Sequence, residues 1–159
     1  RDTWDTRIAT VRRDGLAPLA QGLGERWFGA DFRARHPEVV ESAAVTLRAT
    51  TPRGYIEACT AIRDMDQRDG IAAIAVPTLV IAGAQDVATP VEQSEALLER
   101  IAGADLVVLD AGHQSAREQA DDFCAALLDF LRDAKGVDLE AVRKRYRMTP
   151  GDGDGAPSP

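Results

Sequence analysis

Two short apolar runs, Val76-Pro77-Thr78-Leu79-Val80-Ile81-Ala82 and Leu106-Val107-Val108-Leu109, constrain this chain more than any other feature. Each is continuous rather than alternating and rich in β-branched residues. Such runs read as strands buried on both faces, as parallel sheets require. Between them Thr89-Pro90 opens a helix carrying Val91, Leu97, Leu98 and Ile101, which closes at Gly103. A last clear helix is expected from about Ser115 to Arg132, capped by Ser115, with Phe123, Ala126, Leu127, Phe130 and Leu131 inward. Strand, helix, strand, helix is a βαβα unit with the right-handed crossover that parallel strands demand. Two strands do not make a stable sheet alone, because their second faces and open edge need cover. Each aliphatic left exposed forgoes roughly 1.5–3 kcal/mol, so the expectation is a larger sheet encoded upstream.

The segment before these strands has a different character. Ile8, Val11, Leu16, Leu19 and Leu23 recur at helical spacing, interrupted by Gly15 and Pro18. Val39, Val40, Ala43, Ala44 and Leu47 form a second stripe, and Pro52 starts a third helix with Tyr55, Ile56, Cys59 and Ile62 on one face. Nothing here alternates with period two, so the reading is all-helical. The expected organisation is a helical cap over residues 1–68, part of an α/β core over 69–134, and a tail over 135–159. That tail comprises a short helix near 137–146 and a disordered Gly/Pro/Asp stretch from Thr149.

Composition sets the outer limits. With 159 residues, 45% of them hydrophobic, the chain can bury one core and is short for two domains. A net charge of −7 argues against a nucleic-acid backbone or an anionic membrane as partner. The basic run Arg143-Lys144-Arg145 reads as a solvated helix end. Cys59 and Cys124 lack metal-ligand spacing, which fits a reduced, cytoplasmic protein. No apolar stretch reaches the roughly 18 residues of a membrane span, and no secretory signal opens the chain. It begins with Arg1, so the expectation is a piece of a longer protein.

Open α/β sheets place working residues in loops beyond the carboxyl ends of their strands. Asp86 follows the first strand and His113 the second, which puts both loops on one rim if the strands are parallel neighbours. An aspartate there can accept the Nδ1 proton of the imidazole and fix its tautomer, leaving Nε2 to take a proton from a nucleophile. The alternatives are ordinary: an aspartate after a strand is often a turn former, with Thr89-Pro90 supplying a helix cap beside it. His36, before Pro37, reads as solvated, and Met65 and Met148 as packing or tail residues. No serine fits a G-x-S-x-G turn; Ser42, Ser94, Ser115 and Ser158 all lack the flanking glycines.

The pattern P-T-L-V-I-A-G-x-x-D-x-x-T-P, then A-D-L-V-V-L-D-A-G-H, then Glu118-Gln119, resembles the C-terminal part of α/β-hydrolases. In that fold the triad order is Ser, acid, His. The resemblance implies Asp86 as the acid, His113 as the base, and the leading helices as the cap. Arg26-Trp27-Phe28, Thr51-Pro52-Arg53-Gly54-Tyr55 and Ala61-Ile62-Arg63-Asp64-Met65-Asp66 are most similar to 3-oxoadipate enol-lactonases, over roughly residues 4–132. Such enzymes open a carboxylated enol-lactone in aromatic catabolism without metal or organic cofactor. Trp27 is then a candidate substrate contact, although the ring also suits the cap core. Arg26 is a candidate partner for a substrate carboxylate through a bidentate fork. Ala120 replaces the proline that relatives usually carry after Glu-Gln. The resemblance implies a small lactone or ester as ligand and an upstream core carrying the nucleophilic serine. A general carboxylesterase or perhydrolase, and a non-catalytic truncated module, stand as alternatives.

Overall fold

A computed structural model describes residues 1–133. The helix expected at 137–146, the tail, the run Arg143-Lys144-Arg145, Met148 and Ser158 lie outside the described residues. Six helices come first: α1 (Asp2–Asp14), α2 (Ala17–Gln21), α3 (Leu23–Trp27), α4 (Ala30–Arg35), α5 (Pro37–Ala49) and α6 (Pro52–Asp64). They are followed by strand β1 (Leu79–Gly83), helix α7 (Val91–Leu98), strand β2 (Asp105–Leu109) and helices α8 (Ser115–Glu118) and α9 (Ala120–Asp133). No described helix is long and apolar enough to cross a membrane.

Local chemistry explains the breaks between the helices. Gly15 ends α1 in the left-handed region at φ 72°, a conformation glycine adopts at little cost. Pro18 sits in the first turn of α2 and Pro52 in the first turn of α6, where a missing N–H is harmless. The Thr51 hydroxyl caps α6 by accepting from the Gly54 N–H at 3.2 Å. Phe28 leaves α3 in an extended conformation and stacks on Phe32 at 5.5 Å between ring centroids.

The helices enclose the main hydrophobic cluster: Val11, Leu16, Leu23, Phe28, Phe32 and Leu47, with alanines 20, 43 and 44 filling the gaps between them. Leu23 is completely buried. Helix α1 packs along α6, and α2 and α3 pack on α5. An ion pair from Arg63 to Asp5, at 2.7 Å, also joins α6 to α1. Surface pairs contribute about 0–1 kcal/mol, so apolar packing dominates the assembly of this half.

The two strands pair in parallel, with Leu79 opposite Asp105 and Gly83 opposite Leu109. Burial on both faces, expected from the apolar runs, is not what the structure has. The first three residues of β1 are half-buried, Val108 in β2 is 45% exposed, and Val76 lies outside the strand at 67%. The physical reason is cover: among the described residues α7, α8 and α9 supply the main packing on this pair, and no further strand pairs with either outer edge. The same holds for α9, whose Leu127 and Leu128 are 39% and 44% exposed.

The final helix is two helices rather than one. Gln119 departs from helical geometry at φ −131° and ψ 56°, and its side-chain amide donates to the Asp110 carbonyl at 3.0 Å. Helix α9 then starts at Ala120, the first-turn position where proline is tolerated. Ser115 is not the cap: it is the buried first residue of α8, preceded by Gln114.

Beyond the strands the backbones meet closely. The Ala84 N–H donates to the Leu109 carbonyl and the Gln85 N–H to the Ala111 carbonyl, both at 2.8 Å. A Cβ on Gly83 would lie 2.2 Å from the Gly112 carbonyl oxygen, so no larger residue fits without moving the second loop. Gly83→Ala is therefore expected to lower stability by about 1–3 kcal/mol, read as a lower urea midpoint, with the backbone amide resonances of 110–114 shifted.

Candidate active site

The paired register of Gly83 and Leu109 sends both following loops off the same end of the sheet. Asp86 and His113 meet there, with His113 Nδ1 2.8 Å from Asp86 Oδ2. Asp86 is buried, while the His113 side chain remains about one-third exposed. The other carboxylate oxygen, Oδ1, accepts the N–H groups of Ala88 at 2.7 Å and Thr89 at 2.9 Å. The Thr89 hydroxyl donates to Oδ2 at 2.7 Å and stands 3.3 Å from His113 Nδ1. Thr89 is thus part of the acid's shell and not the helix cap; α7 begins after Pro90 with no side-chain cap.

Burial alone pushes the Asp86 carboxyl up. The Thr89 hydroxyl and N–H, the His113 ring and the Ala88 N–H outweigh it and hold the group below the ordinary carboxylate range. The carboxylate therefore persists in the folded state and orients Nδ1–H toward itself, which leaves Nε2 with the free lone pair. Among the described residues Thr89 supplies the only hydroxyl within hydrogen-bonding distance of His113, and it lies on the Nδ1 side. Ser42, Ser94 and Ser115 sit on helices α5, α7 and α8 and do not reach the ring.

A second carboxylate holds the histidine loop to the helical half. Glu118 Oε1 accepts the Gly112 N–H at 2.9 Å, and Oε2 accepts the Gly29 N–H at 3.0 Å. The Gln114 N–H donates to the Trp27 carbonyl at 2.9 Å. A Cβ on Gly112 would come within 3.0 Å of Glu118, Gly29 and Phe28 atoms, so the glycine before His113 is what permits this approach.

A cavity of about 410 Å³ opens over the pair, within the range of small-molecule sites. His113 and Thr89 line it from the strand side; Trp4, Arg7, Tyr55 and Ile62 line it from α1 and α6. Trp27 is brought in as well, its ring centroid 6.5 Å from that of His113. Arg26 is not among the lining residues. Its guanidinium donates to the Leu19 carbonyl at 2.8 Å, and burial first, then the charge of Arg7, lowers its pKa. The His36 ring packs at a tilt against Phe32, 4.6 Å between centroids, away from the cavity. Among the described residues no three His, Cys, Asp or Glu side chains converge to hold a metal ion.

Sequence reasoning named Asp86, His113 and Trp27, read Thr89 as a helix cap, and assigned no role to Glu118 or Arg7. Thr89 and Glu118 stood inside the quoted motifs, and their roles needed the fold to become visible. Arg7 gave one faint sign, the three-residue spacing from Trp4 that places both on one helix face.

Two parallel strands that carry an aspartate and a histidine to one rim beside a bundle of helices form part of an α/β-hydrolase fold. The chain belongs to the TAP-like protein family, whose profile matches residues 51–138. It is 38% identical to 3-oxoadipate enol-lactonase 2 of Acinetobacter baylyi, over 90% of this chain and 49% of that protein. The crystal structure of the enol-lactonase from Burkholderia xenovorans superposes with a TM-score of 0.80 at 38% identity, covering 83% of this chain and 51% of that one. An esterase from Exiguobacterium antarcticum superposes with a TM-score of 0.72 at 30% identity, covering 83% of this chain and 48% of the esterase. The chain spans about half the length of the curated relatives it matches.

Two outcomes follow from this geometry. Asp86 has its pKa lowered by folding, so its contribution is complete above the ordinary carboxylate pKa of about 4 and fades as pH falls through the depressed value. Urea unfolding between pH 2 and 6 should show a steeper loss on acidification for the wild type than for Asp86→Asn. Glu118→Gln leaves one buried backbone N–H facing a donor and should cost about 1–3 kcal/mol, seen as a lower melting temperature.

Proposed function

We propose that the chain carries the cap, residues 1–68, and the acid–histidine portion of the core, residues 69–134, of a serine hydrolase that opens a small carboxylated enol-lactone. On this reading the nucleophilic serine and the oxyanion donors belong to a part of the sheet outside these 159 residues. That part would also cover Val108, Leu127 and the free strand edge. The observation that carries the proposal is the 2.8 Å contact between Nδ1 of His113, which lines the cavity, and the buried Asp86 behind it. The likeness to two lactonases of Acinetobacter baylyi, at 38% and 32% identity, supports the substrate class. The setting would be aromatic catabolism in the cytoplasm, with 3-oxoadipate as product.

In the proposed mechanism His113 Nε2 takes the serine proton as the oxygen attacks the lactone carbonyl. The ring becomes an imidazolium, which the Asp86 carboxylate stabilises through Nδ1–H. Collapse of the tetrahedral intermediate breaks the ring C–O bond, and the released enol oxygen receives the proton. Water, deprotonated by the same His113, then hydrolyses the acyl-enzyme. Trp27 would pack against the bound substrate beside the ring of His113.

A broader carboxylesterase is the second reading, favoured by the likeness to the Exiguobacterium esterase. A panel of enol-lactone and neutral aryl esters separates the two, because the lactonase should reject the aryl esters. A non-catalytic module is a third, favoured by the lack of any G-x-S-x-G in the 159 residues. A fluorophosphonate probe that fails to label the full-length protein would establish it. In a full-length protein bearing the serine, His113→Ala should reduce lactone hydrolysis by at least about 10⁴-fold without changing the melting temperature by more than a few degrees. Activity retained in that variant removes the assignment.

A further inference from the structure

The helical wall of the cavity holds positive charge that no carboxylate among the described residues pairs with. Arg7 lines it, with the guanidinium carbon 4.9 Å above the Trp4 ring. The arginine ion pairs among the described residues all involve other side chains, namely Arg13, Arg48, Arg53, Arg63, Arg68 and Arg132. Arg26 lies close enough for its charge to be felt at Arg7, is partly buried, and has only the neutral Leu19 carbonyl as acceptor. Both guanidinium groups act on the Tyr55 phenol, another lining group. Carboxylates outnumber cations 26 to 19 in this chain, so two neighbouring arginines with no carboxylate partner among the described residues run against its composition.

We propose that Arg7 anchors a free carboxylate of the substrate and thereby selects acid-bearing esters or lactones over neutral ones. A partly desolvated cation is stabilised by an anion far more than an exposed one. Arginine suits the task because its planar fork grips both carboxylate oxygens. The Trp4 ring beneath it restricts the guanidinium before the ligand arrives. Arg26, which does not line the cavity, reinforces the local positive potential without touching the ligand. The overall charge of −7 would repel an anionic substrate elsewhere on the surface, which confines favourable approach to this wall. His113 lines the same cavity, so a short molecule with a carboxylate at one end presents its other end to the histidine. The identity of the bound molecule as a substrate rests on the hydrolase reading above; the binding itself needs no nucleophile.

Calorimetric titration of the full-length protein with adipate and with its uncharged diamide tests the anchor, since neither probe has an ester to cleave. Adipate should bind at least tenfold more tightly than the diamide, and its affinity should fall with added salt. Arg7→Gln should weaken adipate at least tenfold and leave the diamide unchanged, while Arg7→Lys retains part of the affinity. Arg12→Gln, an exposed change on the same helix, should alter neither. Equal affinity for the two probes, or adipate binding unaffected by Arg7→Gln, overturns the anchor. Loss of both probes in Arg7→Gln with a wild-type melting curve also overturns it, because charge is then not what is read. If adipate binds through Arg7 but no lactone is hydrolysed, the anchor stands and the lactonase reading falls.

Discussion

The spatial relation of the aspartate and the histidine depends on a contact between backbones. Gly83 lies against the carbonyls of Ala111 and Gly112, and the Ala84 and Gln85 N–H groups hydrogen-bond across to Leu109 and Ala111. These contacts extend the parallel ladder past its last paired residues and fix how far each loop travels before it turns. Asp86 then needs only a local turn, closed by the N–H groups of Ala88 and Thr89, to bring its carboxylate to the imidazole. Side-chain chemistry at the rim therefore inherits its precision from glycines that have no side chain at all.

The helical half is attached to this rim at a few defined points. Glu118 receives one N–H from each side, and the carbonyl of Trp27 receives another from Gln114. Both tethers converge on residues 27–29, immediately beside the histidine loop. The position of the Trp27 ring near His113 is thus set by backbone hydrogen bonds, and does not depend on the hydrophobic cluster alone. A shift of the helices would strain the histidine loop, and the reverse is equally true. In free-energy terms the tethers matter because a buried N–H without an acceptor costs about 1–3 kcal/mol.

Much of this was legible in the sequence where a residue's local chemistry and its place in the fold agree. Pro52 announced a helix start, Gly15 and Pro18 a break between helices, and the β-branched runs the strands, and the pairing of Asp86 with His113 followed from strand order. Three features were not legible. Continuous apolarity in 106–109 suggested full burial, yet Val108 is exposed, because burial depends on neighbours that the local sequence does not specify. The break at Gln119 was hidden inside a strong helical period, since a side-chain bond to the Asp110 carbonyl decides it. Arg7 in α1 and Arg26 in α3 are nineteen positions apart, and only the packing of the helices decides which of them lines the cavity.

The two contributions to the cavity come from separate stretches of chain. Residues 86–113 hold the acid and the imidazole, whereas Trp4, Arg7, Trp27 and Tyr55 all precede the first strand. Substitutions in the early helices can thus remodel the shape and charge of the chamber while the rim stays as it is. Such a partition makes the scaffold readily evolvable: the cavity wall can drift in one block, with the block that joins Asp86 to His113 held constant by its glycines.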